Sequence, residues 1–256
     1  MLIFILGLMI GSFLNVCICR IPNDESIIMP PSHCRQCKAP ISWYDNIPVL
    51  SYLILKGRCR HCKRVISAQY IIVEILTAIL ITAAFFKYGL TLHFVMYSML
   101  FCLLIIATFI DFKYQVIPDT ITVFGIAAGF LFNLLNVPSH NWYAGLLNSL
   151  SGITAGAVSI YLIMKLGTII FKRKLQRIGE EEAMGFGDVT LMAMIGAFLG
   201  YKYTLLVFFM APFFGSVVGI ALKLKYKQDI MPYGPYLSLA AVVAVFFGDS
   251  ILKLLM

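Results

Sequence analysis

The chain has 256 residues, of which 61% are hydrophobic and only 12% charged, with a mean hydropathy of +0.90. That composition excludes a soluble globular domain and specifies a polytopic membrane protein. The formal net charge of +8 reports membrane topology rather than nucleic-acid binding, because the basic residues cluster in alternate connections.

Taken in chain order, apolar runs fall at 2–19, 70–86, 91–110, 120–137, 143–171, 189–200, 203–222 and 235–252. A bilayer core of about 30 Å takes roughly 20 helical residues, so these runs predict an all-α polytopic fold with about eight transmembrane helices. The sixth run is short, since its 12 residues at about 1.5 Å each reach only about 18 Å. It must borrow from one flank: borrowing backwards draws Gly185 to Asp188 into the membrane edge, whereas borrowing forwards uses Tyr201 and Tyr203, which suit an interface. The first run has no basic leading segment and no small-residue cleavage site, which predicts a retained helix instead of a removable signal. Basic residues gather in 20–64, at Lys113, in 172–177 and in 223–227, whereas the connections around Lys87, Pro138 to Trp142 and Lys202 are nearly uncharged. The positive-inside bias then puts the basic loops in the cytoplasm and both termini outside. Three regions follow: a first helix at 1–19, a cytoplasmic loop at 20–69 and a transmembrane body at 70–256.

The loop is the one stretch large enough for a separate soluble unit, and it holds Cys34-Arg-Gln-Cys37 and Cys59-Arg-His-Cys62. Two C-x-x-C pairs with 21 residues between them match the spacing by which two knuckles offer four thiolates to a structural Zn(II). The alternative, two disulfides or unrelated thiols, sits poorly with a reducing cytoplasm. A unit this small, with few apolar residues of its own, would draw its stability from the metal. Cys17, Cys19 and Cys102 lack partners at metal-ligand spacing and read as packing residues.

Two acids at the edges of apolar runs stand apart: Asp111 in Asp111-Phe-Lys-Tyr-Gln-Val-Ile-Pro118-Asp119, and Asp188 in Gly185-Phe-Gly187-Asp188. A carboxylate there is costly unless it has a purpose. Asp188 and Asp119 each have a plain reading as helix N-caps, and Asp119 keeps it. Asp111 ends a helix, where the macrodipole disfavours negative charge, and nothing local accounts for it. Gly185 and Gly187 permit close approach of backbone or substrate. If Asp111 and Asp188 face each other, both cannot ionise cheaply and the pair shares a proton, as in aspartic proteases. Such a dyad hydrolyses an amide, one carboxylate activating water while the other protonates the scissile carbonyl. That step needs no metal, so the zinc is expected to be remote and structural.

These motifs, in this order, resemble those of the type IV prepilin peptidases, the leader peptidase/N-methyltransferases. The likeness runs along nearly the full length. It takes in Gly11-Ser-Phe-Leu-Asn15-Val, Arg20-Ile-Pro22, Trp43-Tyr-Asp45-Asn-Ile-Pro48, Lys56-Gly57-Arg-Cys59, Tyr70 to Glu74 and Met231-Pro-Tyr-Gly234-Pro235, besides the aspartate motifs. Its departures are mild, with Tyr44 inserted in a Trp-Asp-Asn pattern and Tyr233 where Phe is common. The resemblance implies cleavage of the basic leader of prepilins or pseudopilins at the cytoplasmic face of the bacterial inner membrane. Asp111 and Asp188 would be the catalytic pair, supported by Gly185, Gly187, Pro118 and Asp119. It also implies N-methylation of the exposed amino group with S-adenosylmethionine, an activity associated with the N-terminal region and its cysteine loop. The implied partners are the pilin-like substrates and the lipid bilayer, with no nucleic acid.

Methyl transfer needs a neutral amine held in line with the sulfonium, and an acid beside it. Glu74, one of few acids inside a span, is a candidate; pairing with a basic loop residue is its structural alternative. Asn15 and Gly57 are candidates by family position alone. Glu180, Glu181 and Glu182 form an acidic run on a basic face, suited to recognising a basic leader or, equally, to balancing Lys172 to Lys174 in a solvated turn. Other readings are a peptidase without methyl transfer, a transporter, which should show inverted repeats and midplane charges, and a structural zinc-loop component with dispensable aspartates.

Overall fold

A computed structural model describes every residue except 137–141, 174–175, 177–181, 183, 227–231 and 256, and at 142, 218–226 and 255 the backbone alone. The described residues form helices and isolated bridges, without strands. They divide into two compact units, Met1–Phe94 and Val95–Met256.

In the first unit, α1 (Leu2–Arg20) packs along α3 (Gln69–Tyr88). Gly7 and Gly11, one turn apart, set the contact: a β-carbon at Gly7 would lie 2.6 Å from Ala78 Cα, and one at Gly11 would lie 2.6 Å from Glu74 Cα. Small residues at this spacing let membrane helices meet backbone to backbone, where packing rather than hydrophobic drive holds them. α3 stops at Gly89, whose left-handed φ of 62 lets its N–H bond back to the Phe85 carbonyl at 2.8 Å. Between the two helices the loop carries a 3-10 turn at Trp43–Asn46 and a short helix, α2 (Leu50–Ile54). Arginines tie it down. Buried Arg20 donates to the carbonyls of Ser26 and Pro30 at 2.7 and 2.6 Å, and Arg35 donates to that of Cys19 at 2.9 Å. Arg60 forks across the Asp45 carboxylate at 2.6 and 2.7 Å, a bidentate geometry that fixes direction as well as distance.

The second unit holds most of α4 (Leu92–Tyr114), with α5 (Asp119–Leu135), α6 (Trp142–Ile170), α7 (Phe186–Tyr226) and α8 (Gly234–Leu255). Residues 191–200 of α7 are all buried, because α5 and α6 enclose them. Gly152 and Gly196 bring the α6 and α7 backbones into contact, and a β-carbon at Gly129 of α5 would lie 2.7 Å from the Phe198 ring. α7 then breaks at Gly200, whose φ of 73 and ψ of 173 belong to a region that only glycine visits freely. The break leaves carbonyls without helical partners, and side chains take them up: Asn133 reaches Ala197 at 2.7 Å and Phe198 at 3.2 Å, while Ser149 reaches Ala197 at 3.0 Å. Beyond it the chain doubles back. Tyr203 hydrogen-bonds Asp249 near the end of α8, and Gly215 lies against Tyr236 near its beginning.

Among the described residues, six helices are long and apolar enough to cross a membrane, with α7 counted once and the 17-residue α5 just short. Splitting α7 at Gly200 gives the eight helical segments that the apolar runs predict. The sixth segment borrows from its N-terminal flank, starting at Phe186, so Asp188 enters its first turn.

Candidate functional site

Asp111 sits in the last turn of α4 and Asp188 in the first turn of α7, 5% and 8% exposed and near enough for their charges to interact. Their partners differ. Oδ2 of Asp111 accepts the backbone N–H of Gly234 at 3.0 Å. Gly234 is the first residue of α8, so its N–H has no helical acceptor and the positive end of the α8 dipole faces the carboxylate. The negative charge that the end of α4 disfavours is thus compensated by the start of α8. Oδ1 of Asp188, in contrast, is buried with no hydrogen-bond partner among the described residues.

Ile117 is the wedge of the site. Gln115, with φ 54, turns the chain out of α4 and swings Ile117 inward ahead of Pro118. A β-carbon at Gly187 would lie 2.9 Å from Ile117 Cβ, and one at Gly234 would lie 2.7 Å from Asp111 Oδ2 and 3.1 Å from Ile117 Cδ1. Gly185 is different: the nearest atom to a β-carbon there is Asp188 Oδ2 at 3.9 Å, which leaves open space beside the carboxylate. Tyr233 borders the pair, its hydroxyl pushed up to about 12 by burial and then by the charge of Asp188, so it stays protonated.

One expectation needs correction, and one alternative falls away. Asp119 is not the N-cap of α5; Pro118 occupies that position, and Asp119 is the exposed first helical residue without a side-chain capping bond. Its charge still favours the first turn through the helix dipole. Nor is Asp188 an N-cap, since it lies inside the helix and is buried. Of the acidic run, Glu182 pairs with Lys165 at 3.0 Å, and Glu180 and Glu181 lie outside the described residues.

In the first unit the sulfurs of Cys34, Cys37, Cys59 and Cys62 all lie within 4.8 Å of one another, with Cys34 and Cys62 at 3.9 Å. A tetrahedral zinc with bonds of about 2.3 Å places its sulfurs about 3.8 Å apart, so the cluster fits that ion. The two knuckles repeat each other. Lys38 and Lys63 have φ of 58 and 57, and their N–H groups return to the Cys34 and Cys59 carbonyls at 2.8 and 3.0 Å. Backbone N–H groups, that of Cys37 foremost, bring the Cys34 thiol down to about 6, whereas at Cys37 the Ala39 N–H is outweighed by burial and the neighbouring sulfurs, which push the thiol up to about 11.

The methyl-transfer candidates separate. Asn15 of α1 and Glu74 of α3 are both buried, brought close by the Gly11 contact. Glu74 has no basic partner among the described ion pairs; its Oε2 instead accepts the Val49 N–H at 2.7 Å. Gly57, with φ 66, lies behind Tyr52, where a β-carbon would meet the phenol oxygen at 2.9 Å. Sequence reasoning gave no role to Gly234, Ile117 or Val49. The Gly-Pro pair opening the last span was a usable signal for Gly234; Ile117 and Val49 carry none.

Residues 5–88 match the Bacterial Peptidase A24 N-terminal domain, and residues 98–220 match the Type IV leader peptidase family. The chain is 36% identical to a prepilin leader peptidase/N-methyltransferase of Aeromonas hydrophila over 279 aligned residues, covering 98% of this chain and 92% of that one. Identity to a protein of the same name from Myxococcus xanthus is 39% over 223 residues, covering 87% and 62%. For that of Bacillus subtilis it is 33% over 255 residues, covering 98% and 96%. No solved structure matches the chain significantly.

Proposed function

This chain belongs to the type IV leader peptidase family, and from that premise we propose that it removes the basic leader of prepilins or pseudopilins and then methylates the new amino terminus. The peptidase half rests on one observation above all, the unequal surroundings of two neighbouring buried carboxylates. Hydrogen bonding to a carboxylate favours its charged form. Asp111, which accepts the Gly234 N–H, therefore carries the negative charge and takes a proton from the attacking water. Asp188, with no donor to its Oδ1 among the described residues, carries the shared proton and gives it to the scissile carbonyl oxygen as the tetrahedral centre forms. Asp111 then returns its proton to the departing amine, and Asp188 recovers one as the carbonyl re-forms.

The open space beside Gly185 suits an extended substrate backbone, with Gly187, Pro118 and Asp119 supporting the turns around it. The basic connections support cleavage on the cytoplasmic face of the inner membrane. Glu182, joined to Lys165 only by an exposed pair of small energetic value, is free to exchange partners with a basic leader, together with Glu180 and Glu181. Reversing Glu182 to Lys is expected to slow cleavage of a basic leader more than an uncharged one; equal slowing would remove that role.

Methyl transfer is assigned to residues 1–94, with Zn(II) held by the four cysteines of loop 20–69 as a structural ion. S-adenosylmethionine, when bound, supplies a methyl group to a neutral amine nitrogen while its sulfonium becomes a thioether. The chain's part is to hold that amine, through Asn15 and Glu74, with Gly57 backing the loop. The test is purified full-length protein, a peptide with a basic leader, and the labelled methyl donor, followed by mass spectrometry. Leader release followed by one added methyl on the new terminus is expected; an intact peptide would refute the reading.

A further inference from the structure

A cavity of 380 Å³ lies wholly in the first unit, between α1, α3 and the cysteine loop. Asn15, 1% exposed, and Glu74, 7% exposed, line it from the two long helices, with Val49, Tyr52 and Tyr70 completing that wall. The orientation of the Asn15 amide is settled by its neighbours: Nδ2 donates to the carbonyls of Tyr70 at 3.0 Å and Gly11 at 3.3 Å. Flipped, the amide would set its oxygen against two other acceptors. In the orientation found, Oδ1 is buried and has no hydrogen-bond partner among the described residues.

Beside it, Glu74 is fixed by the Val49 N–H. Val49 has φ 60 and ψ −50, a conformation that a β-branched residue adopts only under constraint. Strain is thus held at the point where the loop grips the carboxylate, which makes Val49 a positioning residue. Among the described residues, two acceptors therefore meet at one buried wall, a neutral oxygen without a donor and a carboxylate that has the Val49 N–H and the Ser12 hydroxyl but no cation. A buried acceptor left unpaired is costly, and the group that satisfies both is a positively charged N–H donor.

We propose that Asn15 and Glu74 form the receptor for the α-ammonium group of the processed substrate, an inference that rests on the methyl-transfer reading above. The methyl donor carries an ammonium too, but with a carboxylate one carbon away. Of the arginines that line the cavity, Arg20 and Arg35 are engaged by the carbonyls of Ser26, Pro30 and Cys19, Arg60 by the Asp45 carboxylate and Arg64 by the Gln36 amide oxygen, and none of them pairs with Glu74. That second charge would meet repulsion from Glu74, whereas a processed chain presents a neutral amide at the same place. Once the ammonium is seated, its proton passes to the Glu74 carboxylate and a neutral amine remains. That is the form methyl transfer requires.

The test measures binding to full-length protein in lipid nanodiscs without the methyl donor. The probes are an apolar peptide with a free amino terminus, its N-acetylated form, and S-adenosylhomocysteine. Wild type is expected to hold the free amine about tenfold more tightly than the acetylated peptide. Glu74→Gln, whose amide oxygen still accepts the Val49 N–H, should lose that preference and bind S-adenosylhomocysteine as wild type does. Asn15→Leu removes the unpaired oxygen and should lose the preference too, and S-adenosylhomocysteine binding at wild-type strength in both variants guards against loss of folding. An undiminished preference in Glu74→Gln would overturn the proposal, and so would weakened S-adenosylhomocysteine binding with peptide binding intact, which would move the ammonium to the donor. A wild type that binds the free amine selectively but transfers no methyl group would instead refute the methyl-transfer reading.

Discussion

Gly234 donates its backbone N–H to Oδ2 of Asp111 across 3.0 Å, tying the first residue of the last helix to a carboxylate 123 positions earlier in the chain. The contact makes a helix N-terminus part of the acid pair, and it tolerates no side chain at Gly234.

A β-carbon at Gly234 would lie 2.7 Å from that oxygen. Gly234→Ala is therefore expected to push Asp111 off its donor and lower leader cleavage by about tenfold or more, the scale seen when a preorganised donor is lost. Gly215→Ala is the control, since its β-carbon would meet Tyr236 at an ordinary 3.4 Å. Steady-state cleavage rates for the two variants check this; equal rates would contradict it.

The two glycines ahead of Asp188 should behave unlike each other. A β-carbon at Gly187 runs into Ile117 at 2.9 Å, whereas one at Gly185 enters open space. Gly187→Ala is expected to cost about 1–3 kcal/mol of stability through overpacking, seen as a lower Tm. Gly185→Ala should leave Tm unchanged and raise KM, because it fills room that the substrate uses.

The cysteine cluster should hold one zinc per chain by elemental analysis. Chelation, or Cys37→Ser, is expected to open the loop at 20–69 to proteolysis, because metal binding and folding of so small a unit are coupled. Leader cleavage should persist through the same treatment. A loop equally resistant with and without metal would contradict the assignment.

Much of this was legible in the sequence because the bilayer is a strict solvent. Apolar runs of the right length mark the helices, and the short run at 189–200 was legible as one that borrows from a flank, which it does by starting at Phe186. Asp111 was legible as a charge with no local excuse, Asp188 as an acid at the edge of a short apolar run, and the cysteines by their spacing. What escaped notice was done by backbone. The N–H groups of Gly234 and Val49 hold the two important carboxylates, Asp111 and Glu74, yet a backbone donor leaves no mark on residue type. Asp119 misled for a related reason: Pro118 before it already supplies the extended backbone that a cap requires, with φ −66 and ψ 131, so the capping position falls one residue earlier.

The central claim is that Asp111 and Asp188 act as one catalytic unit. Its most direct measurement is the rate of leader release by purified Asp111→Asn and Asp188→Asn proteins, each with unfolding behaviour like that of the unsubstituted chain. Both rates are expected to fall by about a thousandfold or more, and the double variant to fall no further, as groups acting together are not additive. Substantial cleavage by either single variant would contradict the dyad.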